Sequence, residues 1–313
     1  MLFYLIRRAV IGIVTVFIIV TIVFFLLRLI PGDPVEVWLG DYATPELIQL
    51  TKAKWGLDRP IWVQYAMYVK NLLRGELGDS LRMRFSVASL LVRHYPFTLR
   101  LVFLGTFISI LIAIPVGIVA AVRQNTWIDM FVMMFSFLFI SMPAFWLGLI
   151  VLFIFSFRLG WFPAIGGEGS GSYLTYFSYL ALPSACLGIR EAGLLSRMVR
   201  STMIDTLSKE FITVARSKGL SEKVIRYKHA LRNSLSPIIS LIGVNLVLSL
   251  AGAVVLEVVF SRPGLGRLYV SAVAARDYPL IQGCILMTAT AVVFVNLLVD
   301  ISYGIIDPRI RYD

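Results

Sequence analysis

No Gly-Lys pair occurs anywhere in the 313 residues, so the chain lacks the Gly-x-x-x-x-Gly-Lys-[Ser/Thr] loop that cradles nucleotide phosphates. Any ATP this protein depends on must bind another chain. Cysteine and histidine are nearly absent too. Cys186 and Cys284 lie in apolar surroundings far apart, and His94 and His229 stand near no cysteine or carboxylate cluster. That excludes a disulfide framework and gives no spacing for a metal centre. Charge is scarce as well: 15% of residues are Asp, Glu, Lys or Arg against 58% hydrophobic, and mean hydropathy is +0.85. So little polar surface cannot cover a soluble globule, and the composition predicts an all-α integral membrane protein.

What is present is long apolar runs. A helix crossing the hydrocarbon core needs about 20 apolar residues, and uncharged runs at 9–27, 101–122, 130–157, 237–256 and 278–299 meet that length. A sixth, at 173–198, is interrupted by Arg190 and Glu191, with Pro183 near its start. Six transmembrane helices are predicted. Arg7 and Arg8 before the first run imitate a secretory signal, but the run is too long and no small-residue cleavage site follows it before Pro31. A retained first helix is predicted.

Lys and Arg gather on the cytoplasmic side of short loops. With Arg7 and Arg8 inside, the stretch at 197–232 is inside too, carrying nine Lys/Arg against three Asp/Glu, as are Arg123 and a tail bearing Arg309 and Arg311. Both termini are then cytoplasmic. The net charge of +11 follows from this topology and from contact with anionic lipid, not from nucleic acid, since no basic patch alternates with exposed aromatics.

Three pieces are expected outside. The segment at 31–98 has helix signals: Thr44-Pro45-Glu46 as cap, first-turn proline and first-turn acid, then Tyr65, Tyr68, Val69 and Leu72 at i, i+3, i+4, i+7. Short amphipathic helices are predicted there. Gly166 to Ser172 is glycine-rich and reads as a turn. Between Ser261 and Pro279, two breaker clusters, Pro263-Gly264-Leu265-Gly266 and Arg276-Asp277-Tyr278-Pro279, flank about three helical turns. That piece is either a gate at a cavity mouth or a plain helical connector.

Ionisable residues within a span are costly and draw a functional reading. Arg190 and Glu191 are neighbours, so on a helix they point about 100° apart. One of them lines a transport path and meets a charged end of the substrate, or each pairs with a neighbouring helix or subunit. Asn296 and Asp300, at i and i+4, suit a structural hydrogen bond to another helix. In the basic loop, Ala215 and Gly219 form a small-residue patch at a helix end, where another protein's surface could approach the backbone while Arg216 and Lys218 pair with its acids. Gly219 suits a helix C-terminus, and Ser221-Glu222-Lys223 starts the next helix. The plain alternative is a solvated, positive loop without a partner.

In their joint order, the residue blocks resemble the inner-membrane permease subunits of ATP-binding-cassette importers, specifically the B-type permease of the oligopeptide, dipeptide and nickel group. The blocks are Pro31-Gly32-Asp33-Pro34, Gly56-Leu57-Asp58-Arg59-Pro60 with Gln64-Tyr65, Gly75-Glu76-Leu77-Gly78 before Ser80, Pro143-Ala144-Phe145-Trp146-Leu147-Gly148, Ala215-Arg216-Ser217-Lys218-Gly219, His229-Ala230-Leu231-Arg232-Asn233, Pro263 to Gly266, Arg276 to Pro279, Asn296-Leu297-Leu298-Val299-Asp300 and Asp307-Pro308-Arg309. Thr213 and Val214 stand where the wider family has Glu and the first Ala of its coupling motif, and Ala230-Leu231-Arg232 stands where it has x-Leu-Pro.

The resemblance implies a type I ABC importer permease fold with an external helical insert after the first helix. The first helix would occupy 1–30, the insert 31–98, a five-helix core 99–305 with a coupling loop at 197–235, and a cytoplasmic tail 306–313. It implies a coupling element over Ala215, Arg216, Ser217, Lys218, Gly219, Leu220 and Ser221 that seats in a groove of an ATPase. The expected partners are a second homologous permease, two cytosolic ATPases that bind ATP and Mg, an extracytoplasmic substrate-binding protein and membrane lipid. The chain itself would be a transport subunit in the inner membrane, not an enzyme, with no cofactor of its own. Short peptides are the expected cargo; nickel complexes, glutathione or another small solute are alternatives within the family, and an ion-coupled secondary transporter is the alternative outside it.

Overall fold

A computed structural model describes residues 2–166 and 173–306; most of the predicted turn at Gly166 to Ser172, and the tail with Asp307-Pro308-Arg309, lie outside the described residues. Among the described residues the chain is helical, with one isolated bridge between Asp79 and Ser86. In chain order the helices are α1 (Leu2–Leu29), α2 (Pro34–Leu39), α3 (Pro45–Trp55), α4 (Ile61–Leu73), α5 (Val87–Val122), α6 (Trp127–Ser141), α7 (Ala144–Val151), α8 (Tyr173–Leu207), α9 (Glu210–Ser217), α10 (Glu222–Val224), α11 (Leu231–Val259), α12 (Leu265–Ala274) and α13 (Tyr278–Ile306). Wide helical turns extend α7 through Leu152–Arg158 and join α10 to α11 through Ile225–Ala230.

Four of these stretches are long and apolar enough to cross a membrane: Ile6–Leu29, Val87–Val122, Glu222–Val259 and Tyr278–Ser302. The run at 130–157 does not form the single straight helix its composition suggested. It breaks into α6 and α7, bent by 103°. Pro143 is the cause: its ring disfavours helical backbone at the preceding residue, and Met142 is extended at φ −74°, ψ 128°. If the bent pair is one crossing, it makes a fifth. The 35-residue α8, with Arg190, Glu191, Arg197 and Arg200 along it, is long enough but is not among the apolar candidates.

The chain divides into two compact units. One comprises Leu2–Pro96 and Gly264–Val293. Its short helices begin where the caps are: Asp33 Oδ1 accepts from the Val35 N–H (2.9 Å) ahead of Pro34, and Thr44 Oγ1 accepts from the Leu47 N–H (3.3 Å). Lys52 forms an ion pair with the other oxygen of Asp33. The α4 periodicity puts aromatics against the end of α1, with Phe24 meeting Tyr65 and Tyr68 at centroid distances of 5.2 and 5.3 Å. Thr21 Oγ1 and the Tyr65 hydroxyl add a 2.9 Å hydrogen bond. Beneath lies a core that includes Leu27, Val87, Leu91, Leu268, Ile281 and Cys284.

The other unit holds Phe97–Pro263 and the end of α13 from Phe294. There α8 packs against α6 and α11, around a core that includes Ala113, Leu195, Val199, Met203, Ile212 and Ile238. Where α5 crosses α8 the backbones nearly touch: a Cβ on Gly188 would lie 2.6 Å from the Gly105 carbonyl oxygen. Helices packed in lipid gain attraction from such close approach, so glycine is required at this crossing.

Candidate functional site

Three groups of side chains stand out in the larger unit. The first is the predicted coupling element. A helix of eight residues in a polar loop is marginal alone, so α9 holds its shape by burying one face. Ile212 and Ala215 are buried in the core with Val199 and Met203 of α8, and Ile225 joins them from the next segment. The opposite face is open: Phe211 and Val214 are 40% and 53% exposed, and Leu220 follows at 39%. Arg216, Ser217, Lys218, Gly219 and Ser221 are exposed beside them.

Gly219 ends the helix at φ +76°, and nothing lies within 4 Å of the place a Cβ would occupy. Its backbone angle, not crowding within the chain, selects glycine here. Ser221 takes the N-cap position of α10 without a side-chain hydrogen bond. Arg216 Nε donates to Glu222 Oε1 at 2.8 Å, and Arg226 lies 3.7 Å from the other oxygen. Sequence spacing had grouped Ala215 with Gly219 as one outward patch. The structure separates them, because Ala215 is small in order to fit against α8. The outward apolar residues are those at 211, 214 and 220.

α8, which carries this element, is pinned at several levels. Thr206 Oγ1 and Ser234 Oγ are 3.0 Å apart, which ties α8 to α11. Asp129 accepts from Arg200 at 2.5 and 2.6 Å in a two-pronged pair, and its Oδ2 also accepts from the Asn125 N–H at 3.0 Å. Sequence reading missed this pair. Asp129 sits in the first turn of α6 and Arg200 lies 71 residues on, so no local period links them.

Glu191 belongs to the second group. Ser249 Oγ of α11 donates to its Oε1. Ser249 Oγ also lies 2.6 Å from the Asn245 carbonyl oxygen. Asn245 Nδ2 is buried without a partner. Glu191 therefore engages α11 of its own chain, whereas Arg190 is exposed. The two do diverge around α8. Asn296, at the far end of the chain, is exposed.

The third group was not foreseen. Glu257 and Arg262 are 0% and 1% exposed. Thr98 Oγ1 donates to Glu257 Oε1 at 2.5 Å, and Arg262 NH2 donates to the Tyr176 hydroxyl at 3.4 Å. Arg100 lies 5.3 Å from the same tyrosine's ring centre and donates to its hydroxyl at 3.3 Å. Glu257 and Arg262 look like ordinary loop-flanking charges in sequence; only a turn returning the Arg262 N–H to the Glu257 carbonyl (2.8 Å) buries both.

The predicted gate residues lie just beyond. Pro263 is half-buried, and Gly264, Leu265 and Gly266 are buried. In the insert unit, Asp277 is 1% exposed and accepts from Ser80 Oγ (2.5 Å), from the Arg82 N–H (3.3 Å) and, as a cap of α13, from the Leu280 N–H (3.3 Å). Arg276, at φ +53°, lays its guanidinium where a side chain on Gly32 would be, 1.9 Å from that Cβ. Among the described residues no cluster of His, Cys, Asp and Glu could hold a metal.

Comparison with known proteins gives one family. Residues 113–312 match the family described as "Binding-protein-dependent transport system inner membrane component", and residues 1–102 match its N-terminal region. The dipeptide transport system permease protein of Alkalihalophilus pseudofirmus is 38% identical, with 100% of each chain covered. The di/tripeptide permease of Pseudomonas aeruginosa is also 38% identical, over 100% of this chain and 99% of its own. The glutathione permease of Escherichia coli is 37% identical over both full lengths. A chain of the methionine ABC transporter MetNI, solved in inward-facing conformations, matches 70% of this chain and 97% of its own with a TM-score of 0.57 at 18% identity, a likeness of fold. The type I importer permease fold agrees with the structural likeness over 70% of the chain, and the family and its relatives match along the whole length. The chain belongs to the family of inner-membrane components of binding-protein-dependent transport systems.

Proposed function

We propose that this protein is the permease subunit of an ATP-driven importer of short peptides. It forms the path through the inner membrane with a second, similar permease, and works with two cytosolic ATPases that bind ATP and Mg and with an external binding protein. The observation that carries the reading is the end-to-end likeness to dipeptide and di/tripeptide permeases. Both termini and the loop at 197–235 face the cytoplasm, as the positive residues require, and the insert at 31–98 then faces outward.

Coupling runs through α9. Phe211, Val214 and Leu220 form the apolar contact with an ATPase groove, while Arg216 and Lys218 meet acids at its rim. Ala215 and Ile212 work from the other side: buried against α8, they pass displacement of α9 into that helix. Closure of the ATPases on ATP then moves α8 and the helices pinned to it as a body, the ordinary means of switching a packed bundle between two states. Arg190, exposed on α8, meets a charged end of the cargo in the path, and Glu191 holds α8 to α11 through Ser249. The segment at 263–277 closes the outer mouth, with Asp277 as its anchor.

In the assembled, reconstituted transporter, Val214→Glu should lower cargo-stimulated ATP hydrolysis and uptake by about tenfold or more, the loss of one buried anchor at an interface. The amount of chain in the membrane should be unchanged, because Val214 touches water in the subunit. Normal uptake by this variant would remove α9 from the coupling role. Glutathione is a second cargo reading, favoured by the full-length 37% relative. Mass spectrometry of the ligand retained by the cognate binding protein separates the two.

A further inference from the structure

A cavity of about 250 Å³ opens in the insert unit between the end of α1, α4 and the start of α13, apart from every residue assigned above to coupling or path. Sites for drug-sized ligands run about 300–1,000 Å³, so its occupant is small. The walls combine aromatic rings with polar groups that keep spare donors. Phe24 and Tyr68 stack at 5.3 Å, and burial lifts the Tyr68 phenol to about 12, which keeps it a neutral hydroxyl.

Arg28 reaches over this stack, its guanidinium carbon 3.4 Å from the Phe24 ring centre. Its Nε donates to Gln64 Oε1 and its NH1 to the Phe24 carbonyl, both at 3.0 Å. A guanidinium has five N–H donors, so donors remain. No carboxylate among the described residues forms an ion pair with Arg28. Gln282 lines the same cavity, is 7% exposed, and its Nε2 has no hydrogen-bond partner. A buried amide donor without a partner is uncommon and invites a ligand acceptor. Glu76, exposed, brings a negative charge to the same walls.

We infer that this cavity binds a free α-amino acid, with the carboxylate taken by Arg28 and Gln282 and the ammonium by Glu76. A carboxylate accepts from a guanidinium and an amide N–H together, and the aromatic walls receive the side chain. A volume of about 250 Å³ suits a single residue. The inference does not depend on which cargo the transporter carries, since no path residue contributes to it.

Calorimetric titration of the full-length chain in lipid nanodiscs tests it, with each of the twenty standard amino acids offered singly. Saturable one-to-one binding is expected for at least one. The amide of that amino acid, which lacks the carboxylate, should bind about tenfold or more weakly, and Gln282→Leu should weaken the parent by a similar factor. Should Gln282→Leu fail to fold, Glu76→Gln on the exposed rim keeps the test open: it should abolish the preference for the amino acid over its N-acetyl form. No saturable binding by any of the twenty overturns the inference. So does an amide that binds as tightly as the acid, or binding and preference unchanged in Glu76→Gln.

Discussion

The helices α9 and α12 look alike in sequence, each a short amphipathic segment between glycines, prolines or charges, yet they differ in what they leave unsatisfied. α12 leaves Val270 and Val273 41% and 46% exposed, but its other face and its flanking carboxylate turn inward. Leu265, Leu268 and Ala272 are in the core of the insert unit, and the carboxylate beyond the helix, Asp277, is occupied by Ser80, Arg82 and Leu280. α9 buries Ile212 and Ala215 but presents Phe211 and Val214 to water, then ends at a glycine with open space around it. A segment whose flanking charge is met within its own chain needs no partner to explain that charge. One that exposes a compact apolar face in a charged loop is built for contact.

The largest effect that tests this contrast is expected at Ala215. Because Ala215 is 7% exposed within the core around Val199 and Met203, Ala215→Arg forces a charge into an apolar site. The penalty is several kcal/mol per unpaired ion. Membrane-inserted, assembled protein should fall sharply in quantitative immunoblots, unlike Val214→Glu. Equal, wild-type amounts of both variants would mean that α9 is free of α8 and that its two faces are not distinct.

Asp277→Ala comes next. It strands the Ser80 hydroxyl and the Arg82 N–H, at about 1–3 kcal/mol for buried groups left without a partner. Thermal unfolding of the detergent-solubilised chain should move down accordingly, and Asp277→Asn, which keeps an acceptor, should recover part of the loss. If Asp277→Ala unfolds at the wild-type temperature, the anchor is idle and α12 is as loosely held as an unpartnered α9 would be.

Why some of this was legible in sequence and some not comes down to distance along the chain. Local chemistry could be read directly: Thr44 as a cap, the α4 aromatic period, and the long uncharged runs of α1, α5, α11 and α13 each formed as helices. The break before Pro143 was written in the proline, but composition over 130–157 hid it. The clasp of Ser80 on Asp277 joins residues 197 apart, and that of Thr98 on Glu257 joins residues 159 apart; no single-sequence period encodes either. Facing direction was the other loss. The pair Ala215 and Gly219 shares a spacing but not a surface, because the helix ends between them and Gly219 has left the helical register.

Gly219 gives the finest test, since two causes could select glycine there. One is backbone: at φ +76° an L residue other than glycine is strained by about 1–2 kcal/mol, and asparagine suffers least. The other is a partner surface pressing on the Cα, which any side chain would hinder. Within this chain the space is empty, so steric exclusion can come only from outside it. Gly219→Ala and Gly219→Asn separate the two in a coupled transport assay. If backbone alone decides, Asn should retain more activity than Ala despite its greater bulk, and the unfolding temperature should follow the same order. If the partner decides, activity should fall with side-chain volume, Asn below Ala, while stability still favours Asn. Equal, wild-type transport by both variants would leave Gly219 a simple helix terminator and confine the contact to Phe211, Val214 and Leu220.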